Sequence, residues 1–159
     1  MNNNDKGTRI CRWLSFCLVI LLAAACAKDE IPPEPTRIAI EIETAGNINP
    51  NPEGRPSPLA LRIYQLKSTS KFKKADFMSL FENDEAVLGN GLLKKEEIFL
   101  KSNEKRIVLY EAEADTGSIG LMAIFRNYEQ SQWKATTTVI PHKFNQINVS
   151  INGTTLTVK

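Results

Sequence analysis

The chain has 159 residues, 20 Lys+Arg against 18 Asp+Glu for a formal net charge of +2, 42% hydrophobic residues and three cysteines. A balance this near zero, without clustered basic residues, excludes the electrostatic footprint of a nucleic-acid binder. The length suits one domain of the common size, large enough to fold on its own core without crosslinks.

The first element is a leader. Lys6, Arg9 and Arg12 precede thirteen apolar or small residues from Trp13 to Ala25, the basic and apolar regions of a secretory signal. The run is shorter than the roughly 20 residues a membrane helix needs. It ends in Leu22-Ala23-Ala24-Ala25-Cys26. An ordinary Ala-x-Ala cleavage site would use the same alanines. Small residues directly ahead of a cysteine also resemble the bacterial lipobox, with Ala23 where leucine usually leads; cleavage there leaves the cysteine N-terminal and its thiol acylated. Residues 1–25 then form a signal peptide and Cys26 is the lipidation site. Cleavage lowers Lys+Arg from 20 to 17 and Asp+Glu from 18 to 17, leaving a formally neutral chain of 134 residues. Cys11 and Cys17 leave as well, so no thiol remains for a disulfide, a zinc site or a nucleophile. One acyl chain binds a bilayer marginally and two or more hold firmly; a lipoprotein cysteine usually carries a diacylglyceryl group, often with a further N-acyl chain such as palmitate. Ala27 follows the cysteine, where an aspartate would retain the protein at the inner membrane in many Gram-negative bacteria, so outer-membrane sorting is expected.

Residues 26–35 read as a tether. Ala27 to Pro35 is polar and proline-rich, extended at about 3.1 Å per residue, and spans about 25 Å. A folded domain is expected over residues 36–159. Ile38, Ile40 and Ile42 alternate with Ala39, Glu41 and Glu43, the period of a strand with one buried face. Leu59, Leu61 and Ile63 repeat it, while Tyr64 and Leu66 put apolar groups on the other face. Phe77, Leu80 and Phe81 sit at helical spacing and can cover that second face. Asn83 or Asp84 can cap a further turn through Leu88, which Gly89-Asn90-Gly91 breaks. Strands follow at Ile98–Leu100, at Ile107–Tyr110, at Ile119–Phe125 (apolar on both faces, hence central), and at Trp133–Ile140 ahead of Pro141. Ile147, Val149 and Ile151 alternate up to Asn152-Gly153, a strong hairpin signal, and Leu156 and Val158 form the return. About eight strands joined by short turns predict a two-sheet antiparallel β-sandwich with a short helical insertion.

One connection is long: Ala45 to Pro58, fourteen residues with four prolines and two glycines. Such a loop in a compact domain is usually functional or disordered. As a surface loop it is expected to tolerate a Gly/Ser bridge over 47–53 with little loss of stability.

Chemistry-bearing constellations are sparse. His142 is the single histidine, beside Pro141, with neither an oriented nucleophile nor a spaced ligand set around it. Asp76, Asp84 and Glu85 read as helix-terminal charges, and Glu96 and Glu97 beside Lys94 and Lys95 as a solvated face. Trp133 and Phe125 read as core anchors. Asn148-Val149-Ser150 matches a glycosylation triplet, without meaning in a strand of a bacterial lipoprotein. There is no phosphate loop and no G-x-S-x-G. No enzyme, metal or cofactor is expected.

Arg55-Pro56-Ser57-Pro58-Leu59-Ala60-Leu61-Arg62-Ile63-Tyr64-Gln65-Leu66-Lys67, then Phe72, then Ala75-Asp76-Phe77-Met78-Ser79-Leu80-Phe81, resembles the type VI secretion lipoprotein family TssJ (SciN, VasD). Leu88, Leu92-Leu93 and Glu96-Glu97 fit the same pattern. Lys101-Ser102-Asn103-Glu104 departs from it, in place of a Pro-Gly turn. The resemblance spans most of residues 37–159. It implies a transthyretin-like sandwich anchored in the outer membrane and facing the periplasm. It further implies binding to the periplasmic domain of the inner-membrane protein TssM, within an envelope-spanning secretion complex. The loop after the first strand is linked in the family to partner contact, which here designates Asn47, Asn49, Pro50, Asn51, Glu53 and Arg55. Prolines at 50, 52 and 56 stiffen that loop and reduce the ordering entropy lost on docking. A transthyretin-like periplasmic lipoprotein that binds a small ligand is the alternative; it requires a concave apolar pocket with convergent polar groups.

Overall fold

Isoleucines at every second position, with glutamates on the other face, make β1 (Arg37–Thr44) a strand buried on one side. The computed structural model describes residues 33–159; the expected signal peptide, the expected lipidation site Cys26 and the expected tether up to Pro32 lie outside the described residues. β1 is followed by β2 (Leu59–Leu66), α1 (Ser70–Lys74), α2 (Phe77–Leu88), β3 (Leu92–Leu100), β4 (Lys105–Glu111), β5 (Ser118–Ile124), β6 (Lys134–Thr138), β7 (Phe144–Asn152) and β8 (Thr155–Val158). They form two four-stranded sheets, ordered β4-β1-β7-β8 and β3-β2-β5-β6. The expected sandwich is what the chain builds.

Between the sheets lies the main core, with Ile38, Ile40 and Ile42 against Leu59, Leu61, Leu121, Ile147 and Val149. Ile40, Leu61 and Leu121 are fully buried and Val149 nearly so, so the expected strand register holds; a slip of one residue would turn each outward. Leu61→Ala should therefore lower unfolding free energy by about 3 kcal/mol, read from a denaturant titration.

One pair departs from the antiparallel expectation. β1 and β7 run parallel, with Ile40 opposite Ile147 and Ile42 opposite Val149. The whole second sheet intervenes between them in sequence, so no hairpin fixes their relative direction. The β7–β8 hairpin forms as expected, Gly153 taking φ +57° in its turn.

A second core covers the outer face of the sheet containing β2. Tyr64, Leu66 and Met122 pack there against Phe72, Phe77, Leu80 and Leu88 of the two helices. Gly120 makes the close approach possible: a Cβ there would meet Leu66 Cδ1 at 2.9 Å and the Phe72 ring at 3.2 Å. α1 has no counterpart among the sequence expectations, because its five residues are too few to show a helical period. α2 breaks at Asn83, whose φ −149° and ψ 46° are non-helical, where a second turn was expected to start.

Asp76 caps α2 as expected of a helix-terminal charge, accepting from the Ser79 amide at 2.9 Å and the Ser79 hydroxyl at 2.6 Å. The Ser79 bonds hold its carboxyl below the usual range. Glu104 is held low as well, chiefly by the Lys101 amide and then by Arg106. Both pKa values are depressed in the folded state, so the stability they contribute is present above the unfolded carboxylate pKa near 4 and is lost as pH falls through the folded values. Asp76→Asn and Glu104→Gln should each flatten the acid limb of a plot of melting temperature against pH.

Candidate docking face

Four connections meet at one end of the sandwich. The 45–58 loop is tied to the β3–β4 turn by Asn103 N–H donating to Ala45 C=O at 3.3 Å. It is tied to the β7–β8 turn by Asn49 N–H donating to Gly153 C=O at 2.9 Å. The β5–β6 connection joins through Arg126 N–H, which donates to Asn49 Oδ1 at 2.8 Å.

The chain enters the domain at the other end. There His142 N–H donates to Thr36 Oγ1 at 2.8 Å and the His142 ring nitrogen Nδ1 lies 3.0 Å from Glu34 C=O. β1 runs directly from that entry to the 45–58 loop, so its eight residues separate the two ends by about 26 Å. His142 is an exposed turn residue with φ +57°.

The loop is not a uniform surface element. Ile48 is fully buried in the main core, and Asn49 is 6% exposed. Besides accepting from Arg126, Asn49 donates through Nδ2 to Pro58 C=O at 2.8 Å and sits at φ +46°, a conformation asparagine tolerates better than most residues. It thus holds the loop to the fold. Pro50 is half-buried, and Asn51 turns the chain by accepting from Arg55 N–H at 2.8 Å through its side chain. Asn47 is exposed, its Oδ1 accepting from Gly153 N–H at 3.3 Å. Glu53 and Arg55 are exposed and face each other at 4.0 Å. Of the six designated residues, then, Glu53 and Arg55 belong to a solvent-facing tip of residues 52–56. The expectation that residues 47–53 can be bridged without cost is overturned by the burial of Ile48 and Asn49.

A charged cluster pins the helices to the sheet. Asp84, 5% exposed, accepts from Tyr64 Oη at 3.0 Å, from Lys95 Nζ at 2.9 Å and from Arg62 Nη1 at 3.4 Å. Arg62 also donates to Glu97 at 2.6 Å and to the Leu80 and Phe81 carbonyls, and stacks over the Phe81 ring at 5.4 Å. Burial, then the charge of Asp84, pushes the Tyr64 hydroxyl well above its ordinary range and keeps it a donor. Asp84 opens the turn that follows the break at Asn83, and Lys95 and Glu97 reach the cluster from an exposed face. One sequence reading is corrected: that face belongs to β3, which starts at Leu92 and not at Ile98. The signal available was the alternation Lys95, Glu97, Phe99 opposite Tyr64, Arg62 and Ala60, which only a known strand register exposes.

Among the described residues no group of three or more His, Cys, Asp or Glu could hold a metal. The geometry offers two ends and a rigid loop, which suits recognition of another macromolecule.

A family described as type VI secretion lipoprotein, VasD, EvfM, TssJ, VC_A0113 matches residues 36–154. Among solved structures, the T6SS lipoprotein TssJ1 from Pseudomonas aeruginosa is 27% identical with a TM-score of 0.76, covering 79% of this chain and 95% of that one. A type VI membrane complex contains a chain 23% identical with a TM-score of 0.70, over 79% of this chain and 99% of the other. A structure of the T6SS protein TssM C-terminal domain from EAEC contains one 21% identical with a TM-score of 0.66, over 78% and 98%. No curated protein matches the chain significantly.

Proposed function

Because this chain belongs to the type VI secretion lipoprotein family, we propose that it is the outer-membrane anchor of the secretion complex, with residues 1–25 as signal, Cys26 lipidated and residues 26–35 as tether. Its sandwich faces the periplasm and its 45–58 loop holds the periplasmic domain of TssM. One observation carries this reading: β1 joins the chain-entry end to the loop end, so the lipid and the partner attach at opposite poles and do not compete. The prolines of the 52–56 tip restrict its backbone before contact and so lower the ordering cost of docking. Fold likeness to a chain of a type VI membrane complex supports the assignment to such an assembly.

Cys26→Ser should abolish acylation and release the domain to the soluble periplasm; a variant that still fractionates with outer membrane and supports secretion would refute the anchor. For the partner, residues 52–56 replaced by Gly/Ser should leave the melting temperature unchanged. Affinity for the purified TssM periplasmic domain should fall at least about tenfold by isothermal titration, a loss of about 1.4 kcal/mol. Unaltered affinity would move the interface to the exposed Met78 and Phe81 of α2.

A further inference from the structure

We infer that the β6–β7 loop and the adjoining outer face of β4 form a second membrane contact, seated on the bilayer that holds the lipid anchor; this rests on the lipidation of Cys26 proposed above. The described residues expose seven large apolar side chains, and the register puts three of them, Ile107, Leu109 and Phe144, on the outer face of one sheet, with Ile140 on the loop that leads into Phe144. Ile140 and Phe144, 56% and 64% exposed, bracket the β6–β7 loop, and Leu109 and Ile107, 70% and 63% exposed, stand on the outer face of β4. The register groups the strand residues: Phe144 is opposite Arg37, whose other neighbour is Glu111, Leu109 is opposite Ala39 in the next row, and Ile107 is opposite Glu41 in the row after. Phe144 and Leu109 wall a groove of about 400 Å³ with Arg37 and Glu111.

This exposure is built, not frayed. Asn145, 8% exposed, accepts from Ile140 N–H at 2.7 Å and donates to the Ile140 and Lys143 carbonyls at 3.0 Å each. A buried side chain thus holds the loop in the shape that turns Ile140 and Phe144 outward. Water is a poor environment for two such groups on a rigid tip, and the boundary between headgroups and acyl chains is a good one. Lys143 and Arg37 lie beside them with exposed cations for lipid phosphate, Glu34, Glu41 and Glu111 being the nearby carboxylates. Long basic side chains suit that boundary because their stems bury while their charges stay wet.

The position of chain entry selects the bilayer as occupant. His142, inside the loop, contacts Glu34 and Thr36, so the tether emerges at this patch and at no other. Nine residues from 27 to 35 reach at most about 32 Å, which makes bilayer contact intramolecular, at an effective concentration of order millimolar. Even a weak insertion is then populated. The contact fixes the tilt of the domain and aims the 52–56 tip away from the membrane.

The test uses the full mature lipoprotein in phosphatidylethanolamine–phosphatidylglycerol vesicles in which some lipids carry a nitroxide on the acyl chain. Acylation of Cys26 leaves no other thiol, so Phe144→Cys, Ile140→Cys and, as a distal control, Glu53→Cys each take one fluorophore. Insertion about 5–10 Å into the boundary should quench about half of the emission at 144 and 140 and about a tenth or less at 53. All three sites are exposed, and unchanged melting temperatures confirm folding. Vesicle flotation reads the anchor separately. Protein that floats but shows no more quenching at 144 than at 53 overturns the contact and leaves the anchor standing. A blue-shifted but unquenched label at 144 also overturns it, assigning the patch to another protein or a second copy. Failure to float overturns both.

Discussion

Asp84→Ala should destabilise the domain by about 2–3 kcal/mol, because it strips the shared acceptor from the buried Tyr64 hydroxyl and from a largely buried Arg62. Lys95, Arg62 and the Tyr64 hydroxyl all converge on that carboxylate. Without it the buried Tyr64 hydroxyl loses its carboxylate acceptor and Arg62 and Lys95 are left facing each other, with Arg62 keeping Glu97 and Lys95 keeping Glu85 and solvent; the hydroxyl carries the larger share of the cost. The damage should concentrate in the helical insertion, since the second core of Phe72, Leu80 and Leu88 depends on the same docking. Hydrogen exchange should accordingly show α1 and α2 opening before the sandwich. Asp84→Asn keeps acceptor geometry and should lose less. A triple replacement of Asp84, Arg62 and Lys95 by apolar residues of similar volume should recover much of the loss, as removal of a whole buried ionic set often does. Denaturant titration decides the matter; an Asp84→Ala variant within about 1 kcal/mol of the parent would mean that the cluster is solvated in solution.

Bridging Asn47 to Glu53 with glycine and serine should cost at least about 4 kcal/mol, against nearly nothing for the same treatment of residues 52–56. The first deletion removes Ile48 from the main core, worth about 2–5 kcal/mol for an isoleucine-sized void. It also removes Asn49, leaving the Arg126 amide and the Pro58 carbonyl unpaired at about 1–3 kcal/mol each if no water replaces it. Residues 52–56 are all exposed and hold no such contacts with the core. The pair of variants therefore separates folding from docking: lost binding in the bridged form would be ambiguous, whereas loss in the tip variant at an unchanged melting temperature would locate the interface. Equal melting temperatures for both would refute the buried role of Ile48.

The sequence by itself determined most of the strands. Period-two alternation located β1, β2, β7 and β8 because burial on one face of a pleated strand leaves a local mark that needs no knowledge of the partner, and a run apolar on both faces located the central β5. The loop bounds followed from proline and glycine clustering, and the motif from Arg55 to Phe81 pointed to the family before any contact was known. Tertiary structure alone decided three things. The parallel pairing of β1 with β7 joins segments separated by most of the domain, and alternation is blind to strand direction. The partners of the charged run on β3 are the second: Lys95 reaches the buried Asp84 and Glu97 reaches Arg62 from an exposed strand face, and those partners come from β2 and α2 together, so no local pattern reveals them. The division of the 45–58 loop into a buried base and an exposed tip depends on three other connections closing over Ile48 and Asn49. In each case the deciding partner lies far along the chain, and free energy of burial is a property of the assembled neighbourhood.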